Sequence, residues 1–135
     1  MAIELYWDND AQTTLLLEFN GRWTWEELHR TLAAIKKITD AVDYEIAALV
    51  DVSRGLHILP GDLFSAEGLH NARLLMTLGH DGTGPLVIVG ANPLIKTVYD
   101  VLHKLDPSAL GNVRFAKTLE EARLLLKNSS AKDAG

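Results

Sequence analysis

Asp51, Ser53 and His57 share one short stretch, Asp51-Val52-Ser53-Arg54-Gly55-Leu56-His57. Their types are those of a nucleophilic triad: a hydroxyl to attack, an imidazole to take its proton and a carboxylate to orient the ring. Such a site needs the base within hydrogen-bond reach of the hydroxyl, and donors for the oxyanion. Ser53 is not set in a Gly-x-Ser-x-Gly elbow. The simpler role for Asp51 and Ser53 is to bond the amides of a loop and shape its turn. Catalysis through Asp51 and His57 therefore ranks third, behind two binding roles, and the expectation is a protein that is not an enzyme.

Other chemistry is weaker still. His29, His57, His70, His80 and His103 show no metal-ligand spacing, so no metal is expected. Gly79, Gly82 and Gly84 stand before an apolar run, whereas a dinucleotide loop must follow a strand and open a helix; a connector is expected there, and no cofactor. Gly90-Ala91-Asn92-Pro93 is better placed, since a strand end feeding a helix N-terminus favours anions, but it has no Lys. With no cysteine there is neither a disulfide framework nor a thiolate nucleophile.

The elements that must position these residues follow from pattern. Ile3 to Trp7 alternates as a half-exposed strand, Asp8-Asn9-Asp10 turns, and Thr13 to Phe19 returns, predicting a hairpin. Thr24-Trp25-Glu26-Glu27 is a capping box, in which Thr24 accepts the Glu27 amide and Glu27 reaches back. Behind it Trp25, Leu28, Leu32, Ile35, Ile38 and Val42 form one apolar helical face. Ile46 to Ser53 is apolar until Asp51 and too short for a core helix, so it predicts a buried central strand. Pro60-Gly61-Asp62 predicts a helix entry with Asp62 as N-cap, and Gly68 inside that helix costs about 1 kcal/mol relative to Ala. Pro85 to Val89 is a second apolar strand, and Asn92 caps the next helix with Pro93 at its first position. Val113 to Ala116 is a last strand. Thr118-Leu119-Glu120-Glu121 opens a terminal helix through about Leu126, with 128–135 as a flexible tail.

The order β-β-α-β-α-β-α-β-α implies an α/β fold, one domain over 1–127, with a mainly parallel sheet of about five strands, an antiparallel N-terminal hairpin and helices largely on one face. A chain of 135 residues is one domain by length. Its 47% apolar and 23% charged residues are those of an ordinary globular protein. A formal net charge of −5 with no Lys/Arg cluster disfavours nucleic acid. No signal peptide and no apolar run of about 18–20 residues are present, so a cytoplasmic protein without a membrane span is expected.

Gly21-Arg22-Trp23-Thr24-Trp25-Glu26-Glu27, the strand end Asp51-Val52-Ser53 and Phe115-Ala116-Lys117-Thr118-Leu119-Glu120-Glu121-Ala122 carry a resemblance. With the element order, they make the chain resemble the STAS family, whose type members are the anti-sigma-factor antagonists, and within it a SpoIIAA-like group of bacterial proteins. The resemblance covers nearly the whole chain and implies strands ordered as in the sequence, all helices on one face, and a non-enzymatic regulatory or protein-binding role. Phospho-regulated members carry an Asp-Ser pair at the start of the helix after the central strand. Here the corresponding place falls near Leu59-Pro60-Gly61, between Ser53 and Ser65, and has no hydroxyl. The switch is not carried over.

The strands at 15–17, 47–50 and 86–89 are apolar at both parities, whereas a half-exposed sheet alternates. Either helices cover both faces, or the open face meets a second subunit or an apolar ligand; a homodimer is expected. The leading expectation is a STAS-like interaction module whose partner-facing edge comprises Asp51, Ser53, His57, Leu59, Asp62 and Asn92. The alternative is a carrier of a small molecule or lipid, using an apolar sheet face or the loop after the central strand.

Overall fold

The computed structural model describes residues 2–55, 62, 64–77, 84–107, 110 and 113–134, with side chains in the last helix described to residue 127. Among the described residues five strands and four helices follow the expected order: β1 (Ile3–Trp7), β2 (Thr14–Phe19), α1 (Trp25–Asp40), β3 (Ala47–Asp51), α2 (Ala66–Met76), β4 (Leu86–Val89), α3 (Pro93–Leu105), β5 (Val113–Ala116) and α4 (Leu119–Ala134). They form one sheet in the order β1-β2-β3-β4-β5. Only the β1–β2 pair is antiparallel. The apolar run that ends at Asp51 is thus the middle strand.

Local bonds explain where elements begin. In the hairpin, the Asn9 carbonyl oxygen Oδ1 accepts the Thr13 and Thr14 amides at 3.0 and 3.2 Å, and Gln12 takes the left-handed backbone at φ 57°. Thr24 Oγ1 accepts the Glu27 amide at 3.1 Å. The Glu27 carboxylate accepts the Ile3 amide at 2.8 Å, tying the start of α1 to β1. At α4, Thr118 accepts the Glu121 amide at 3.1 Å, and Glu121 reaches back to the Lys117 amide at 3.3 Å.

Two sheet faces are buried by different helices, because side chains alternate along each strand. Leu15, Leu17, Phe19, Ala48, Val50, Leu86 and Ile88 pack with Leu28, Ile35, Met76, Val98 and Leu102 beneath α1, α2 and α3. Leu16, Leu49, Val87, Val89 and Ala116 point the other way and pack with Ala122 and Leu126 of α4. Three helices share one face, as the expectation of helices largely on one face has it, and the fourth crosses the opposite side, which departs from the one-sided arrangement that the resemblance implies. It also removes the reason for a homodimer, since apolar residues of both parities are covered within one chain; Leu49 is 0% exposed and Val87 1%. Arg123 on α4 holds the end of β1 through a paired bond to Asp8, at 2.9 and 2.7 Å, and this contact holds its guanidinium pKa further up.

Two boundaries differ from expectation. Asp62, expected as an N-cap, is itself helical, while Pro60, Gly61 and Leu63 lie outside the described residues, and the helix α2 from Ala66 is capped by Ser65, whose Oγ accepts the Gly68 amide at 3.0 Å and donates to the Asp62 carbonyl at 2.7 Å. α4 continues past Leu126 to Ala134. Among the described residues no helix is long and apolar enough to cross a membrane.

Candidate functional site

The C-terminal ends of β3, β4 and β5 meet in a locked turn. Asp51 Oδ1 accepts both the Ser53 amide, at 2.9 Å, and the Ser53 hydroxyl, at 2.6 Å. The Gly55 amide donates to the Val52 carbonyl at 2.9 Å, with Gly55 at φ 90°. Val52 donates to the Val89 carbonyl at 3.0 Å, and Gly90 to the Ala116 carbonyl at 2.9 Å, carrying the parallel ladder past the strand ends. Gly90 has φ 74° and lies against Ser53. A Cβ there would stand 2.6 Å from Ser53 Cα and 2.5 Å from Ser53 Cβ, so only glycine fits. Beside it, Asn92 Oδ1 accepts the Ile95 amide at 2.9 Å and caps α3, with Pro93 at the first position.

These contacts decide what the expected residues do. The Ser53 hydroxyl donates a hydrogen bond to Asp51, and that carboxylate also accepts the Ser53 amide; the pair acts as an Asx-type brace. Ser53 and Asn92 are exposed, as is Asp62 ahead of the α2 cap. His57 and Leu59 lie outside the described residues, as do Gly79, His80, Asp81 and Gly82. The structure brings Asp51, Ser53 and Gly90 together, with Asn92 next along the chain.

Pairing register adds residues that the sequence did not single out. Glu4 faces Glu18 across β1–β2, and Glu18 faces Asp51 across β2–β3, so three carboxylates form a row on the sheet face that α4 leaves partly open. Tyr6 joins it by donating its hydroxyl to Glu4. That bond, with desolvation and the Glu4 and Glu18 charges, pushes the Tyr6 phenol up to about 12; Arg54 pulls the other way. Arg54 also donates to Asn20 Oδ1 at 2.7 Å. The only sequence sign of this row was that Glu4 and Glu18 are the charged positions within the two hairpin strands.

At the opposite end of the strands, a groove of about 480 Å³ runs between the hairpin and α4. Its Asp8 and Arg123 are spent on each other, and its Asn9 and Thr13 on the hairpin turn. Of the histidines, His29 Nε2 lies 2.7 Å from Asn71 Oδ1, and His103 packs against Tyr99 with centroids 5.6 Å apart. Among the described residues no three side chains of His, Cys, Asp or Glu gather to hold a metal ion.

No family model matches the chain, and no curated protein matches it.

Proposed function

We propose that the chain is a non-enzymatic, STAS-like interaction module that presents the strand-end turn to a protein partner. The observation that carries this is the combination of exposure and internal bonding at that turn: Ser53 and Arg54 face solvent, while the Asp51 carboxylate and the Gly55–Val52 bond tie the backbone beneath them. A surface ordered before binding loses less entropy on association than a loose loop does. Asn92 next to Gly90, and Asp62 and Phe64 ahead of α2, are exposed as well. His57 and Leu59 belong to it by sequence. Because α4 already buries the second apolar face, the partner proposed is a different protein and not a second copy. The same covering takes away the sheet face on which a lipid or small-molecule carrier was expected to bind. The Asp51–Ser53 bond leaves no free hydroxyl–base pair in the described turn, so no catalysis is assigned.

A photo-crosslinker placed at Arg54, compared with one at the exposed Lys37 on the far side of α1, tests this in extract from the host. Capture of a defined protein from position 54 and not 37, weakened by Asp51→Ala, is the expected result. Equal capture from both positions would contradict it.

A further inference from the structure

β1 is an outer strand of the sheet, so its main chain is paired on one side only. Opposed residues of an antiparallel pair alternate between exchanging two main-chain bonds and exchanging none. The Asp8 amide donates to the Thr14 carbonyl at 2.8 Å and the Asn20 amide to the Ala2 carbonyl at 2.6 Å, so the even-numbered residues of β1 face β2. The amides and carbonyls of Ile3, Leu5 and Trp7 therefore point away from the sheet. Glu27 takes the Ile3 amide at 2.8 Å, and Ile3 is buried. The outward groups of Leu5 and Trp7 have no hydrogen-bond partner among the described residues. Both residues are half-buried, and Tyr6 between them is 44% exposed.

The opposite edge is better closed. On β5 the Val113 amide donates to the Leu110 carbonyl at 3.2 Å, and the Lys117 amide just beyond it to Glu121 at 3.3 Å. Open edges are commonly guarded by Pro, by Lys or by a bulge, and Ile3–Trp7 has none of these.

Register decides what fits the β1 edge. Two free residues spaced two apart match an antiparallel copy of the same strand, with Leu5 opposite the second copy's Trp7 and Trp7 opposite its Leu5. Each such pair exchanges two main-chain bonds. Centring the match on Leu5 would require Ile3, which Glu27 holds, and centring it on Trp7 would require Asn9, whose side chain organises the hairpin turn. The two-fold axis then passes at Tyr6, which meets its own copy as an aromatic cross-strand pair. Glu4 comes opposite the second copy's Asp8, a carboxylate whose charge Arg123 already meets at 2.7 Å.

We propose that β1 pairs antiparallel with β1 of a second copy about an axis at Tyr6, joining two sheets into one continuous sheet. The apolar sheet faces, covered within one chain, give no reason to associate; the open edge gives a different one. The interface is small and belongs to the transient class. It is separate from the strand-end turn, and either assignment stands if the other fails.

The chain has no cysteine, so a single introduced thiol reports the register. An opposed pair without main-chain bonds sets its Cα atoms about 4.5 Å apart, within the span of a disulfide. With oxidised glutathione as oxidant, Tyr6→Cys is expected to form a disulfide-linked dimer about tenfold faster than Glu4→Cys, whose two thiol positions lie roughly 14 Å apart across the axis. The wild-type chain at about 100 μM is expected to sediment with a reversible species of twice its 14.8 kDa. Leu5→Pro removes an outward N–H and none of the bonds to β2, and is expected to fold and sediment as a monomer; the Tyr6→Cys and Glu4→Cys comparison supplies the answer if it does not fold. A wild-type chain that stays monomeric at that concentration, equal cross-linking from positions 4 and 6, or a folded Leu5→Pro chain that still pairs would overturn the proposal.

Discussion

The tip of β3 and the middle of α2 treat polar groups in opposite ways. At the tip, Asp51 and Ser53 lie at the surface, where water would satisfy them, yet they bond each other and the turn. In α2, Asn71 is buried where water is scarce, and half of its amide is unmatched among the described residues. Desolvation makes the second arrangement costly and the first nearly free. Exposed polar residues gathered at a strand end are therefore weak evidence for chemistry, because a turn has its own use for them. A buried donor without an acceptor is a cost that the surrounding packing has to offset.

The rigid side of this contrast breaks most readily at Gly90. Gly90→Ala forces a Cβ into the Ser53 backbone at a left-handed φ, and about 3 kcal/mol of stability should be lost in urea unfolding; a variant as stable as wild type would mean that the turn is loose. Arg123→Met removes the clamp between α4 and Asp8. The Arg123 side chain is 50% exposed and Asp8 only 8%, so solvent screening limits the expected loss to about 1 kcal/mol, read the same way. No loss would show that packing alone holds α4. Ser53→Ala removes one of the two bonds to Asp51 and is expected to cost about 0.5 kcal/mol, while the turn amides keep their slow hydrogen exchange; fast exchange throughout the turn would place the brace in the hydroxyl instead.

The smallest effect concerns the acidic row. The Tyr6 phenol keeps its proton to higher pH in the folded chain than its ordinary value of 10.0 allows, so the stability tied to it is complete below pH 10 and is lost as pH rises toward about 12. A phenolate absorbance titration, differenced against Tyr6→Phe, should place Tyr6 near 12 and bring it back toward 10 in Glu4→Gln. A Tyr6 that titrates at 10 in the wild type would show that the row exerts no field on it.

Much of the frame was legible because it rests on short-range physics. The run Ile46–Val50 read as a central strand because it is apolar at both parities, and Thr24, Asn92 and Thr118 read as caps because a cap is a bond across three residues. The cap of α2 at Ser65 was not singled out, since Asp62 and Ser65 are both good caps by type and only the observed Ser65–Gly68 bond decides for Ser65. Which face α4 covers was not legible: Leu119, Ala122, Leu125 and Leu126 make an apolar stripe that suits either side of the sheet. Its extension to Ala134 escaped because the apolar pattern stops at Leu126 while the backbone continues. The Glu4–Glu18–Asp51 row is a product of strand register, and the His29–Asn71 contact is a product of how α1 and α2 pack. Both join residues far apart in the chain.

The contrast between the two regions is tested most directly by measuring Asp51→Ala and Asn71→Leu in one urea-unfolding series. Asp51→Ala should lose about 1 kcal/mol, because satisfied bonds are broken, and Asn71→Leu should hold level or gain up to about 1 kcal/mol, because an unmet donor is removed and His29 returns to water. A loss of about 2 kcal/mol or more in Asn71→Leu would mean that Asn71 is fully bonded in the free protein, and would contradict the account.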